Sequence, residues 1–357
     1  MMDSRTVLWY VVLAAIACLG VALTTLAYVN TVNFPPSDAT LTKNLAVYSD
    51  IIKAAPLGCP SDDVLCDYYM ASSGYTVIPS TTVYTYITTD AITEVIRGGA
   101  RLIELDIYSV NNDPVVGLAD SKTNNMFTYN TLKFEDCCTT LANTMFASGT
   151  TPGYQNPFVL SLNFHSEDNA FITRCADVMK MTLRKFMLHS GYSYQRKNLA
   201  VEPICNLMGK LVIISGGNTK GNGMDELVNM SWASSNLRRM TYTEASQTFD
   251  HEELIEYNKR NITLVVPDMS SSDVKNKNAE ICFSFGCQWV AMNYGSLDNA
   301  MELYTGQFIS GSFAIKPDPL RYKPVTYKKP EPQSAAVSFQ PKQVTSPMYD
   351  FTIKSNQ

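Results

Sequence analysis

Short apolar segments of strand length alternate with helical segments over much of this 357-residue chain, and this alternation constrains the fold more than any other feature. Apolar side chains at three- and four-residue spacing predict helices over Asp90–Arg97, Thr131–Phe146, Ser166–His189 and His251–Tyr257, with Ser166 as an N-cap. Strands are predicted at Asp67–Ser72, Arg101–Ile107, Pro114–Gly117, Phe158–Leu162, Lys210–Ile214, Arg239–Thr243, Ile262–Val266, Gln288–Asn293 and Gly311–Lys316. Such alternation is typical of a parallel α/β barrel, so we expect a TIM-type (β/α)8 fold.

The composition narrows the classes of function. The net charge is −5 and no long run of Lys or Arg occurs, which argues against a nucleic-acid partner. The chain has three histidines, His165, His189 and His251. Because histidine is the usual acid–base group near neutral pH, this scarcity limits the hydrolytic mechanisms that are available.

Two carboxylates share one face of the strand predicted at Arg101–Ile107. Glu104 and Asp106 are two residues apart, and side chains at that spacing leave a strand on the same side. One interpretation is an exposed strand end with an acid bonded to a neighbouring Arg or Lys. The other is a metal or acid–base site at the carboxyl end of a barrel strand.

The N-terminus contains an apolar run. Val7–Val29 is 23 residues long without a charge, which is enough for a helix to cross a hydrocarbon core of about 30 Å. A cleaved signal peptide ending near Ala27 is the alternative, but the apolar part of a signal peptide usually has only about 7–15 residues. We interpret residues 7–29 as a retained single-pass membrane anchor. Arg5 favours a cytoplasmic N-terminus with the barrel on the opposite side, and the sequence does not distinguish a host-cell membrane from a viral-particle membrane.

The segments on either side of the predicted barrel are polar and rich in proline. Residues 31–66 are predicted to be a stalk with one helix over Leu41–Lys53, and Cys59 and Cys66 could close a small loop there. Residues 324–357, rich in Pro, Ser and Gln, are predicted to be a mobile tail in which Met348–Ile353 could dock on something. The Asn229-Met-Ser and Asn261-Ile-Thr triplets match the weak pattern of glycosylation acceptors.

Three ordered blocks carry a resemblance to a known family. Tyr86–Tyr108 contains Gly-x-Arg-x-Ile-Glu-Leu-Asp-Ile, and Pro157–His165 reads Pro-Phe-Val-Leu-Ser-Leu-Asn-Phe-His. The third block begins at Phe285 with Gly-Cys-Gln-Trp-Val-Ala-Met-Asn-Tyr and continues to Phe313-Ala-Ile-Lys-Pro-Asp-Pro-Leu-Arg321. Together they resemble the phosphoinositide-specific phospholipase C family. The resemblance implies a distorted TIM barrel with an X half at 67–216, a short connection at 217–238 and a Y half at 239–323, after an anchor at 1–30.

The resemblance also implies where the active site would lie. Active members of the family use two histidines and a Ca²⁺ ion held by Asn, Glu, Asp and Glu. The histidine positions correspond to Gly74 and Leu118. The calcium-ligand positions correspond to Tyr75, Glu104, Asp106 and Asn163, the phosphate-binding lysines to Ile214 and Gly216, the headgroup-binding serine to Thr241, and an arginine to a position near Leu264. His165 matches a histidine beside the catalytic pair, so we expect it to be a hydrogen-bonded residue at the barrel rim.

Glycine and leucine cannot donate a proton, so phosphoinositide cleavage by the family mechanism is not expected. Two interpretations of Glu104 and Asp106 remain. We favour a structural role, in which they bond to backbone NH groups, Arg101 or Lys210. They could instead hold Ca²⁺ weakly with Asn163 and Asp120, although a half-vacated ligand set makes a calcium site doubtful.

Three hypotheses about function follow. The leading one is a membrane-anchored pseudoenzyme, a phospholipase C-like barrel that acts as a scaffold or binding module. The second is a phosphoric diester hydrolase with a rearranged site built on Glu104, Asp106, Asp120 and His165. The third is a membrane-linked structural component of a viral particle, in which the C-terminal tail contacts protein partners.

Overall fold

The computed structural model describes residues 4–33, 57–58, 63–120, 123, 125–268, 274–323 and 342–353. The chain divides into two compact units, Met1–Tyr322 and Lys323–Gln357. The helix expected over Leu41–Lys53 and the half-cystine candidate Cys59 lie outside the described residues.

The first element is a long apolar helix, α1 (Ser4–Asn33). Its segment Leu8–Ala27 has a mean hydropathy of 2.3, and all of its side chains are exposed. Length and composition are therefore sufficient to cross a membrane, but a signal sequence would have the same properties.

The barrel is built of short parallel strands. The strands of the first unit are β1 (Tyr68–Met70), β2 (Ser72–Ser73), β3 (Leu102–Val110), β4 (Asp113–Val116), β5 (Leu132–Lys133), β6 (Phe158–Phe164), β7 (Leu211–Ser215), β8 (Met230–Ser231), β9 (Leu237–Thr241), β10 (Ile262–Val266), β11 (Trp289–Met292) and β12 (Phe313–Ile315). Eight of them are hydrogen-bonded in the order β8-β7-β6-β3-β2-β11-β10-β9. All of these pairs are parallel, and β8 and β9 end the series, so the barrel is nearly closed. This confirms the predicted α/β barrel.

Antiparallel strands extend the barrel at two places. β4 continues from β3 as a hairpin and pairs with β5, while β1 pairs with β12 near the point where the chain enters the barrel. β8 lies inside the segment 217–238 that we expected to be only a connection, so this segment contributes a barrel strand.

Four helices of the first unit lie at predicted positions, although the one expected over Ser166–His189 ends at Leu183, and three further helices were not predicted. After α1 they are α2 (Asp90–Arg97), α3 (Phe134–Thr144), α4 (Asn169–Leu183), α5 (Tyr242–Ser246), α6 (His251–Asn258), α7 (Glu280–Ser284) and α8 (Asn299–Gln307). The prediction that Ser166 caps α4 is wrong. The cap is Asp168, whose side chain accepts a hydrogen bond from the Ala170 amide, because its carboxylate satisfies an orphan NH group of the first turn.

Strand residues alternate between two buried clusters. Leu102, Val159 and Leu264 belong to the cluster inside the barrel, and Ile103, Leu160 and Val265 belong to the cluster between the sheet and the helices. Side chains alternate across a strand, and both faces of a parallel sheet are covered, which explains the nearly continuous apolar strands. On β3, Glu104 and Asp106 therefore share the inward face with Leu102.

The thiols do not form the predicted loop. Cys66 is a free, buried thiol, so the Cys59–Cys66 pairing is wrong, whereas Cys205 is disulfide-bonded. Burial raises the pKa of Cys66 and Cys137 to about 12, which makes both thiols poor nucleophiles. Asn229 is also buried, and its side chain bonds the Ile213 amide, so it is not an accessible glycosylation acceptor.

The second unit contains one antiparallel hairpin, β13 (Lys342–Ser346) and β14 (Tyr349–Ile353), with Ser346 opposite Tyr349. The hairpin adds regular structure within the segment 324–357 that we expect to be a mobile tail, and its mobility stays a prediction.

Candidate functional site

The inward carboxylates of β3 lie at the carboxyl end of the barrel, beside polar residues of β6. The register of the two parallel strands places Glu104 opposite Ser161 and Asp106 opposite Asn163. Both pairs belong to the inward-facing series, so the site is a row of polar side chains above the apolar interior.

Glu104 is neutralised by an arginine from across the barrel. Arg239 on β9 donates from Nη2 to Oε1 over 2.7 Å and from Nε to Oε2 over 3.2 Å, and Ser161 donates to Oε2 over 2.9 Å. The Glu104 side chain is only 6% exposed. Burial disfavours the Arg239 cation, but the facing Glu104 carboxylate outweighs this effect and raises the pKa of Arg239 above its ordinary value. Both carboxylate oxygens of Glu104 are thus occupied by donors.

Asp106 is held by a second set of contacts. Its Oδ1 accepts from Asn163 Nδ2 over 2.7 Å and lies 2.8 Å from His165 Nε2. The imidazole stacks on the ring of Tyr108 with centroids 4.3 Å apart and planes 7° from parallel. The Tyr108 hydroxyl accepts a hydrogen bond from the Ala119 amide. These contacts fix His165 at the rim with one nitrogen directed at Asp106.

Gly74 and Tyr75, which follow β2, do not supply a group that titrates near neutral pH. A Cβ atom on Gly74 would lie 2.7 Å from Cδ of Pro267 and 3.3 Å from Cβ of Ala291, so the backbone there is packed against its neighbours. Tyr75 has a positive φ of 51° and donates its hydroxyl to the Asp268 carbonyl over 2.9 Å. Burial raises the pKa of Tyr75 above its ordinary value, and the Asp106 charge adds to this effect, so the phenol stays protonated.

The other predicted site residues are placed in different roles. Leu118 is 2% exposed and belongs to the hydrophobic core. Asp120 donates its backbone NH to the Asn125 carbonyl. Thr241 caps α5 in a capping box with Glu244, which occupies its hydroxyl and its amide. Among the described residues, no group of three His, Cys, Asp or Glu side chains could hold a metal ion.

The predicted cationic partners of the carboxylates are wrong. Arg101 is fully buried at the start of β3, where it donates to the carbonyls of Met145, Asn156 and Pro157, and Lys210 precedes β7 at that same end. The true partner, Arg239, lies 135 positions after Glu104. Strand alternation predicts that Arg239, two residues before Thr241, shares the direction of the Thr241 side chain. It does not predict that Arg239 contacts Glu104 on the other side of the barrel.

A cavity of about 220 Å³ lies at the carboxyl ends of β10 and β11. It is lined by Tyr75, Tyr242, Asp268, Lys275 and Lys277, and by apolar side chains of β10 and β11. The lining does not include Glu104 or Asp106, so this recess is separate from the neutralised carboxylates.

Comparisons with known proteins agree with this architecture. Residues 61–215 match the phosphatidylinositol-specific phospholipase C, X domain, and residues 211–319 match the Y domain of the same name. PLC21 of L. pealei and PLC21 of S. officinalis have similar structures, each with a TM-score of 0.62 over 75% of this chain and 39% of the other. Their identities of 18% and 19% show likeness of fold alone.

Curated relatives match over shorter stretches. The 1-phosphatidylinositol 4,5-bisphosphate phosphodiesterase beta-4 of Bos taurus is 38% identical over 72 residues, which are 19% of this chain and 7% of that protein. The inactive phospholipase C-like protein 1 of Mus musculus is 32% identical over 84 residues, which are 22% of this chain and 8% of that protein. The chain thus matches only a small part of each relative. Two adjoining domain matches and a nearly closed parallel barrel lead to one conclusion: the chain contains the X and Y domains of the phosphatidylinositol-specific phospholipase C family.

Proposed function

We propose that the chain is a membrane-anchored phospholipase C-like protein that lacks phosphodiesterase activity and serves as a scaffold or binding module. Its relatives include both a phosphodiesterase and an inactive phospholipase C-like protein, so the family by itself leaves the activity open. The observation that carries the proposal is the two-pronged contact of Arg239 with Glu104. The Arg239 guanidinium contacts Glu104 where, by the family resemblance, Glu104 would instead bind Ca²⁺.

The residues at the mouth do not fit a calcium ion. Calcium takes six to eight oxygen ligands, with carboxylates contributing most of the charge. Both Glu104 oxygens accept bonds from Arg239, the Tyr75 hydroxyl is engaged by Asp268, and Asn163 directs its NH₂ group at Asp106. A cation entering here would have to displace Arg239, so we derive no catalytic step through a metal.

Acid–base groups are also missing where the resemblance requires them. Gly74 has no side chain and no space for one, and Leu118 is buried in apolar surroundings. Loss of a general acid or base typically costs about 10²–10⁴-fold in rate, so two losses would reduce turnover to the background.

The test is hydrolysis of phosphatidylinositol and its 4,5-bisphosphate in mixed vesicles by the full chain, with Ca²⁺ or with chelator, alongside calorimetry of Ca²⁺ binding. We expect no turnover above the vesicle background and no saturable binding at millimolar Ca²⁺. Calcium-dependent turnover that Glu104→Gln or Asp106→Asn abolishes would overturn the proposal. Lys133→Gln, an exposed change away from the carboxylate row, is the matched control.

One observation favours the second candidate, a phosphodiesterase with a rearranged site. His165 and Asp106 form a histidine–carboxylate pair at 2.8 Å, which is the arrangement that orients a general base. In that case His165→Gln would remove metal-independent turnover, whereas His189→Gln, which changes an exposed histidine elsewhere, would not.

Membrane attachment through α1 is the other half of the proposal. Its support is the exposed apolar run Leu8–Ala27. Intact mass measurement of the protein from the membrane fraction decides between anchor and signal sequence. We expect residues 1–29 to be retained, and a mature protein that starts after Ala27 would contradict the anchor.

A further inference from the structure

The end of the barrel opposite the mouth carries a concentration of positive charge. Val178–Val201 contains five Lys or Arg residues and no Asp or Glu. With Lys210 from the end of the same α4–β7 connection and Arg260 from the α6–β10 connection, its exposed members form what we call the basic face: Arg184, Lys185, Arg196, Lys197, Lys210 and Arg260.

Contacts with strand beginnings place this face at the amino ends of the barrel strands. Met187 bridges to Leu211, the first residue of β7, and the Gln195 amide donates to the Val228 carbonyl just before β8. Asn198 donates to the carbonyl of Arg260, which precedes β10. Lys210 immediately precedes β7.

Within the described part of the chain, most of these cations have no acidic partner. Lys197 lies 3.9 Å from Glu202, and Lys180, at the edge of the face, pairs with Glu226. Arg184, Lys185, Arg196, Lys210 and Arg260 form no salt bridge with a described carboxylate. Their charge is therefore available to an external anion.

Exposed apolar and aromatic side chains are interleaved with these cations. Met181 is 74% exposed and Tyr194 is 49% exposed. The Arg196 guanidinium lies 5.2 Å from the Tyr194 ring centroid. A cleft of about 290 Å³ is lined by Arg184, His189 and Ser193 and also by the Lys180–Glu226 pair, so it is only partly cationic. Cations mixed with exposed apolar groups are typical of surfaces that rest at the headgroup level of a bilayer.

The mouth carries more exposed carboxylates than the basic face, mixed with the lysines Lys133, Lys220 and Lys277. Its exposed carboxylates include Asp113 on β4, Glu135 and Asp136 in the first turn of α3, and Glu167 and Asp168 before α4. An anionic bilayer would attract the basic face more strongly than this end.

The first described residues of the barrel, 63–65, contact the end that carries the basic face. Val64 bridges to Pro203, the Leu65 amide donates to the Glu202 carbonyl, and the Ile204 amide donates to the Asp63 carbonyl. The segment that comes from α1 thus joins the barrel at the end that carries the cations.

We infer that the basic face docks on an anionic phospholipid surface, so that the barrel mouth points away from the membrane to which the chain is anchored. This inference rests on the anchor in the proposed function, and it requires anionic lipid in the leaflet that faces the barrel, whichever side of the membrane that is. The occupant is a bilayer surface because apolar side chains accompany the cations, whereas a soluble polyanion would use the charges alone. Each cation near such a surface raises the binding constant about fivefold. Salt reduces this gain because it screens the attraction.

Lysine footprinting of the full chain in lipid nanodiscs tests this orientation. The two ends carry matched sets of exposed lysines: Lys185, Lys197 and Lys210 on the basic face, and Lys133, Lys220 and Lys277 on the mouth side. Each set is acylated in discs of phosphatidylcholine alone or with phosphatidylserine, and modification is read by mass spectrometry. We expect the basic-face set to react at least about fivefold more slowly in the phosphatidylserine discs, at low salt only, and the mouth set to react equally in both.

A charge reversal provides the matched comparison. Arg184→Glu with Arg196→Glu should abolish the protection of the three basic-face lysines, whereas Lys133→Glu with Lys220→Glu, which changes the net charge equally, should preserve it. Protection of the mouth set, or of neither set, would overturn the inference. Protection by soluble heparin but not by phosphatidylserine would overturn it in favour of a sulfated polysaccharide partner.

The two proposals fail in different ways. A chain that does not co-purify with the discs refutes the anchor, and this is measured before footprinting. A chain that co-purifies without lipid-dependent protection refutes only the docking of the basic face.

Discussion

At the scale of single residues, the barrel mouth is governed by how Glu104 and Asp106 are neutralised. Two carboxylates on one inward face would be costly if they were desolvated without partners. Arg239 and Ser161 satisfy Glu104, and Asn163 and His165 satisfy Asp106. The same contacts that stabilise the barrel occupy the oxygens that a metal would need.

Removal of Arg239 should therefore destabilise the fold. Arg239→Met leaves a buried Glu104 carboxylate without its cation, so we expect a loss of about 3 kcal/mol in the free energy of unfolding, measured by urea denaturation. The double change Glu104→Gln with Arg239→Met should recover most of this loss. If the double variant were no more stable than Arg239→Met, the pair would not be coupled as the distances indicate.

A histidine introduced at position 74 should destabilise the fold and should not produce phosphodiesterase activity. Because a Cβ atom there meets Pro267 at 2.7 Å, Gly74→His should cost about 1–3 kcal/mol and give no turnover on phosphatidylinositol. Gly306→His is the matched control, since a Cβ atom at that helical position meets nothing within 4 Å. Equal melting temperatures for the two variants would refute the packing argument.

At the scale of elements, the amino ends of the strands are tied together by buried polar groups. Gln288 before β11 donates to the carbonyls of Cys66, Asn258 and Asn261 and accepts from the Thr263 amide. Lys316 after β12 also donates to the Asn258 carbonyl. These bonds link the entering chain, α6, β10, β11 and β12, which gives the Gly-Cys-Gln block a structural role at this end.

The buried ammonium of Lys316 should make stability depend on pH. Burial lowers its pKa from 10.5 to about 8, so the unfolded state binds more protons between these values and stability rises with pH. Relative to Lys316→Met, the wild type should gain about 3 kcal/mol in the free energy of unfolding from pH 8 to 10.5. The Asn258 carbonyl keeps its Gln288 donor in the variant. Parallel pH profiles for the two proteins would contradict the assigned cause.

At the scale of the whole molecule, cations without a partner among the described carboxylates are concentrated at the amino ends of the barrel strands, whereas exposed carboxylates and lysines are mixed at the mouth. The apolar helix α1 contributes no buried side chain over Leu8–Ala27, so its apolar surface does not stabilise the barrel. Membrane attachment and folding of the barrel are therefore expected to be separable.

Deletion of residues 1–33 should release the protein from membranes washed with high salt, which weakens attraction of the basic face, without changing the melting temperature of the barrel. Flotation on a density gradient checks the first expectation, and circular dichroism on heating checks the second. Replacement of Leu13 and Leu19 by arginine, which interrupts the apolar run, should have the same effect on flotation. A large loss of thermal stability in the deletion variant would mean that α1 packs on folded protein.

The barrel is predictable from the sequence, because the periodicities of its strands and helices are local and each apolar face needs a covering layer. The sequence also predicts that Glu104 and Asp106 point inward together, since that follows from a spacing of two. The tertiary structure was needed to show that Arg239 neutralises Glu104, that the backbone at Gly74 leaves no space for a side chain, and that cations from the α4–β7 and α6–β10 connections meet at one end. Each of these depends on contacts between residues far apart in the chain, which closure of the barrel brings together and which no local pattern encodes.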